Sequence, residues 1–213
     1  MKEITAQLLA DLRKNALESL SPKRFRHTVA VEEMVARLAA LYCPEETDRL
    51  RAAALLHDIT KEWKTEDHIR FLQEHGQTTG PQDLLAYKTL HARTAALLVP
   101  ERFPELDDPV IVSAIRWHTT GRAGMTLTEQ LLYLADYIDL SRTFSDCVLL
   151  RRFFFGAEPE KLDAAGRRAL LRDTLILSFD MTVGILLREG LPVAEETASA
   201  RNRLLEERAA EEG

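Results

Sequence analysis

Apolar side chains recur every three or four residues along this chain, and no stretch sustains the alternation of a half-buried strand. The periodicity predicts an all-α protein. A first helix covers about Ile4 to Leu20. Ser21 suits an N-cap, and Pro22 the first position of a helix reaching about Tyr42. Pro44, Glu45 and Glu46 open the next helix, which carries "AAALLHDITKEW" from Ala52 to Trp63. Thr65, followed by Glu66 and Asp67, begins a short helix ending at Gly76, and "GQTTGPQD" is the clearest loop. A helix from about Leu84 to Val99 follows, then one started by Asp108 and Pro109. Thr126 and Glu129 form a capping box for the helix containing "LLYLADYIDL". Two more helices fill the C-terminal third, and the last, "AEETASARNRLLEERAAEE", is strongly charged. With no repeat and no long linker, residues 1–213 are expected to form one all-helical domain.

Composition changes this picture little: 213 residues, 46% of them apolar, suit a globular protein with a sizeable core. A net charge of −6 disfavours a nucleic-acid polymer as partner, yet leaves room for a locally positive pocket and a small anion. Cys43 and Cys147 form neither a close metal-binding pair nor a disulfide framework, and reduced thiols point to a cytoplasmic protein. The N-terminus "MKEITAQLLADLRKN" lacks the apolar centre of a signal peptide. "TLILSFDMTVGILL" is too short to span a bilayer and contains Asp180, so no membrane partner is expected.

What does stand out is a set of ionisable residues on apolar helix stripes. His27 shares a face with Val31, Met34 and Leu38. His57 follows Leu50, Ala53 and Ala54 at helical spacing. His91 lies between Leu84 and Leu98, with Tyr87 and Ala95 nearer. His118 follows Ile111, Ala114 and Ile115, and Asp136 follows Leu132 and Tyr133. A lone inward histidine is more often a satisfied core residue than a ligand. Five inward groups plus Asp58 compete for too few partners unless a cation joins them. Imidazole and carboxylate donors without thiolates suit iron, manganese or zinc, and disfavour a structural zinc site. His57 and Asp58 point about 100° apart on a helix, so each approaches the cation from its own side, and the carboxylate could bridge two ions. Lys61 shares their face; it either pairs with Asp58 at the helix end or faces a substrate phosphate.

His27, the His57–Asp58 pair and Asp136 resemble the "H…HD…D" signature of the HD-domain metal-dependent phosphohydrolases. His91 and His118 resemble the extra ligands of members with an expanded, two-metal site. "RFRHTVAV", "LLHDITK", "HARTAALL" and "AIRWHTTGRAGMTLTEQLLYLADYIDLSR" together resemble the YqeK family, bacterial symmetrical diadenosine tetraphosphate hydrolases, over about Arg24 to Arg142. The resemblance implies an HD helical bundle at about 22–142 with a C-terminal helical extension at about 143–213. It also implies an enzyme holding one or two iron ions that splits diadenosine tetraphosphate into two ADP.

His27, His57, Asp58 and Asp136 carry over as metal ligands. His91 and His118 carry over as ligands of a second ion or as phosphate contacts. Lys61 matches the lysine of the family's "HD..K" string, and Arg142 a basic residue after the last ligand helix. Asp139 departs from the pattern, where glutamate is the more frequent residue.

On this reading Asp58 and a metal activate the attacking water, while Lys61 and Arg142 stabilise charge on phosphate. Thr119, with Thr120 and Gly121, either holds a phosphate or forms a plain helix-end turn. Lys23, Arg24 and Arg26 oppose the dipole of their helix, and Arg24 is the one expected to reach substrate. Asp180 either meets a nucleobase or makes a helix–helix hydrogen bond, the simpler reading. His68 and His75 are read as structural or surface residues, and "RRFFFG" as core packing rather than a lid or oligomer contact. A homodimer stays open. The competing functions are an HD-type nucleotidase or guanosine tetraphosphate hydrolase, and a non-enzymatic nucleotide sensor.

Overall fold

The computed structural model describes residues 4–212, which contain helices and turns but no strand. The α-helices are α1 (Ala6–Ser19), α2 (Pro22–Tyr42), α3 (Thr47–Leu56), α4 (Thr65–Glu74), α5 (Pro81–Leu85), α6 (Leu90–Arg102), α7 (Pro109–Trp117), α8 (Leu127–Ile138), α9 (Ser145–Gly156), α10 (Ala164–Arg188) and α11 (Glu195–Glu212). Their starts follow local chemistry: Ser21 accepts from Arg24 N, Asp108 from Val110 N, and Asp163 from Gly166 N. Thr126 and Glu129 complete the reciprocal capping box of α8.

α3 lies at the centre. Ala52, Ala53 and Ala54 are all fully buried, as are Leu50, Leu55 and Leu56. A helix covered all round must have neighbours on every side, and α1, α2, α7 and α8 supply them. One continuous core runs from Leu9 of α1 through α2, α3 and α8 to Phe179 of α10 and Leu204 of α11. Glu32 of α2 is buried between Arg13 of α1 and Arg51 of α3, a charge-assisted cluster that ties the three helices together.

Three expectations need correction. The helix expected over Leu84–Val99 is broken: α5 ends at Leu85, a 3-10 turn spans Tyr87–Thr89, and α6 then runs past Pro100 to Arg102. Thr89 N and Oγ1 both donate to Ala86 O, tightening the backbone there, while Phe103 N reaches back to Val99 O and closes the last turn beyond the proline. The break turns Tyr87 out to solvent, so it does not share a helix face with His91. Second, Pro81–Asp83, expected as loop, opens α5. Third, the C-terminal third holds three helices, not two. Glu158, with φ 50°, precedes Pro159 in the turn that separates α9 from α10. Among the described residues no helix is long and apolar enough to cross a membrane.

Candidate metal centre

His27 and Asp136 project from within α2 and α8, and the ends of neighbouring helices complete the site. α3 stops at Leu56, and the next residues form a chain of tight turns, with Ile59 N donating to Leu56 O, Lys61 N to Asp58 O and Trp63 N to Thr60 O. His57 and His118 sit immediately after α3 and α7, and Asp139 immediately after α8. Helix C-termini carry partial negative charge, so three of them aimed at one place favour a cation. His57 Nδ1 donates to Ala54 O at 2.6 Å, and His118 Nδ1 to Ile115 O at 2.7 Å. Each ring thereby satisfies a carbonyl in the last turn of its own helix and turns a bare Nε2 inward.

Four donor atoms converge first. His27 Nε2 lies 2.9 Å from Asp136 Oδ1 and 3.7 Å from Asp58 Oδ2. His57 Nε2 lies 3.5 Å from Asp58 Oδ2 and 3.8 Å from Asp136 Oδ1. Donors bound to one ion at about 2.0–2.2 Å sit roughly 3 Å apart when adjacent and about 4 Å when opposed. The spacing matches a shared coordination sphere. His27 Nε2 and His57 Nε2 are buried and make no hydrogen bond. Two such buried nitrogens beside carboxylates are costly, and a divalent cation satisfies both once His27 is neutral.

The electrostatics agree. Burial alone would raise the pKa of Asp58, but His57, His118 and Lys61 hold it well below the usual carboxylate range. Burial acts likewise on Asp136, and Arg142 and His27 outweigh it to keep that carboxylate ionised. Burial disfavours a charged His27 ring, yet Asp136 and Asp139 overcome it and lift its pKa to about 9. A proton therefore competes with a cation for His27.

A second group lies on the other side of Asp58. Its Oδ1 is 3.3 Å from His91 Nε2 and 3.8 Å from His118 Nε2, and those nitrogens are 3.0 Å apart. Asp58 thus divides its two oxygens between the groups, the geometry of a bridging carboxylate. Lys61 Nζ sits 3.1 Å from His91 Nε2 and 3.3 Å from Nδ1, and Thr119 Oγ1 is 3.1 Å from Nε2. Burial and then Lys61 depress the His91 pKa; burial also depresses that of His118.

Arg24 and Arg142 stand at the rim. Arg24 Nη1 donates to Asp58 Oδ2 at 2.6 Å, and Arg142 Nη2 to Asp136 Oδ1 at 2.6 Å. Lys23 and Arg26 remain exposed. Asp180, on the exposed side of α10, accepts from Arg201 of α11, the helix–helix hydrogen bond that is the simpler of its two readings. His68 is buried against Thr94 and Trp63, while His75 pairs with Glu101, so both are structural.

Sequence reasoning missed the role of Asp139. Fully buried, it places Oδ2 3.3 Å from His27 Nδ1 and Oδ1 on the amide and hydroxyl of Ser141. Such outer carboxylates orient a ligand histidine. Thr60 was missed too; its hydroxyl donates to His91 O and draws α6 onto the turn after His57. Asp139 could have been found as a carboxylate three residues after a ligand; Thr60 left no signal.

Residues 24–141 match the HD domain family. A symmetrical bis(5'-nucleosyl)-tetraphosphatase of Halalkalibacterium halodurans is 32% identical over 87% of this chain and 91% of its own length. Proteins of the same name from Staphylococcus aureus and Bacillus subtilis are each 30% identical over 88% of this chain, covering 89% and 92% of their lengths. A crystal structure from Clostridium acetobutylicum, described as a predicted HD superfamily hydrolase involved in NAD metabolism, superposes with a TM-score of 0.80. It shares 30% identity over 93% of this chain and 97% of that one. The chain belongs to the HD-domain family, among the relatives named symmetrical bis(5'-nucleosyl)-tetraphosphatases.

Proposed function

We propose that this chain hydrolyses diadenosine tetraphosphate symmetrically to two ADP in the cytoplasm, with iron as its metal. One observation carries the chemistry: two buried, unbonded Nε2 atoms, each on a ring held in place from behind, face two ionised carboxylates. His27, His57, Asp58 and Asp136 would hold the cation, and the second oxygen of Asp58 lies towards His91 and His118. When bound, a divalent cation supplies Lewis-acid charge and makes water acidic enough to attack near neutral pH.

The protein's residues do the rest. Lys61, half-buried beside Asp58 and His91, offers its ammonium to a phosphate oxygen. Arg24 and Arg142, now clamped to Asp58 and Asp136, present their remaining N–H groups to the polyphosphate at the rim. Thr119 Oγ1 offers one more hydrogen bond beside His91. The relatives' name supports the substrate and the position of the cut.

Nucleotide chromatography after incubation with diadenosine tetraphosphate tests the reading. Two ADP per substrate support it; AMP plus ATP, or no turnover with ferrous iron supplied, would sink it.

A further inference from the structure

Beside His91 the surface opens into a groove of about 470 Å³ whose lining includes Lys61, Lys64 and Lys88 with the rings of Trp63 and Tyr87. That volume falls within the range of small-ligand pockets, about 300–1,000 Å³. No carboxylate lines it, on a chain whose net charge is −6. Behind the groove Lys61 interacts with the buried Asp58, while Lys88 has Glu189 at 3.6 Å, with both side chains exposed enough for that pair to be weak.

The two rings differ from ordinary core aromatics. Trp63 packs edge-on against Phe71 at 5.4 Å and tilted against His68 at 5.7 Å, which holds it in the groove lining. Tyr87 stands 48% exposed on the turn that breaks the expected helix, and it makes no ring contact or hydrogen bond among the described residues. One exposed ring and one half-buried ring among lysines, contiguous with a phosphate-facing lysine and a candidate ligand histidine, form a stacking platform with an electrostatic track.

We infer that this groove binds one nucleoside of the substrate, the base lying on Tyr87 and Trp63 and the adjoining phosphates running along Lys88 and Lys64 towards Lys61. The inference rests on the proposed activity, because a dinucleoside cut at its centre must lay one whole nucleoside diphosphate to a side of the metal centre.

Two measurements test it. ADP titrated into the metal-loaded wild-type protein should quench tryptophan fluorescence, whereas inorganic pyrophosphate should not, and Trp63→Phe should lose most of the ADP quench. In steady state with diadenosine tetraphosphate, Tyr87→Ala should raise KM about tenfold with kcat little changed, the effect expected for one lost stacking contact. Tyr87→Phe, which keeps the ring, should restore KM. An unchanged KM in Tyr87→Ala, measured on enzyme that still releases two ADP, overturns the groove and leaves the activity standing. Wild-type protein that releases no ADP overturns the activity, and the fluorescence titration then decides the groove by itself: an ADP quench that survives in Trp63→Phe rejects it.

Discussion

The two donor groups that share Asp58 are built from similar residues and behave differently. Around His27 and His57 the Nε2 atoms have no hydrogen bond, and three carboxylates, those of Asp58, Asp136 and Asp139, surround them. Around His91 and His118 the nitrogens meet each other, Thr119 and Lys61, so that group closes on itself without an ion. One group is an unfinished coordination sphere. The other is a hydrogen-bonded pair that a second cation can use only by displacing Lys61 or by drawing His91 away from it. The difference teaches that a histidine's environment, rather than its count, decides how firmly it demands a metal.

Breaking the comparison at its shared point should have the largest effect. Asp58→Ala removes the oxygen each group uses, and both metal content and turnover should fall more than a hundredfold, since losing an outer partner alone costs about 10–100-fold. Metal analysis of protein purified without chelators, paired with the ADP assay, reads both; full iron in this variant would break the bridging assignment. Asp139→Asn should come next, with metal affinity weakened about tenfold or more, because the ring of His27 loses its charged partner. A competition titration against a chelator measures that loss. His91→Ala sharpens the contrast: the first group should keep its ion while a second equivalent, if the wild type holds one, disappears. Loss of all metal from this variant would erase the distinction between the groups.

A smaller effect follows from protons. In chelated protein the raised His27 pKa means its ion pairs are complete below the ordinary value of 6.5 and are lost as pH climbs through about 9. Thermal midpoints of the chelated protein should therefore decline across that window more than those of the metal-loaded protein. Metal affinity should rise over the same range, as coordination requires the neutral ring. Parallel melting curves would count against this assignment of His27.

How much of this was legible depended on how local each cause was. Ser21 with Pro22, Asp108 with Pro109 and Thr126 with Glu129 announce their helices within four residues, and all three begin where expected. His27, His57, His118 and Asp136 stood out as ligand candidates because each continues an apolar stripe. Asp139 did not, since it meets the donor cluster only from behind, through the far nitrogen of His27 on a different helix. Asp180 could be placed only by its partner Arg201, on a different helix. The break at Ala86–Thr89 was hidden because an apolar pattern at helical spacing runs straight across it, and Pro159 was the overlooked mark of the third C-terminal helix.

Gly121 ends the turn that carries His118 and Thr119, with φ +64°, and a Cβ there would stand 2.7 Å from Cζ of Phe179 on α10. Thr197 of α11 donates to Thr120 O in the same turn. Both supports come from beyond the stretch that matches the HD family. The tail is therefore a mould for the metal centre, and the edge of the family match is not a seam at which the molecule can be recombined. A chimera joining residues 24–141 of one relative to the tail of another will keep its site only where the incoming ring fits the bare glycine.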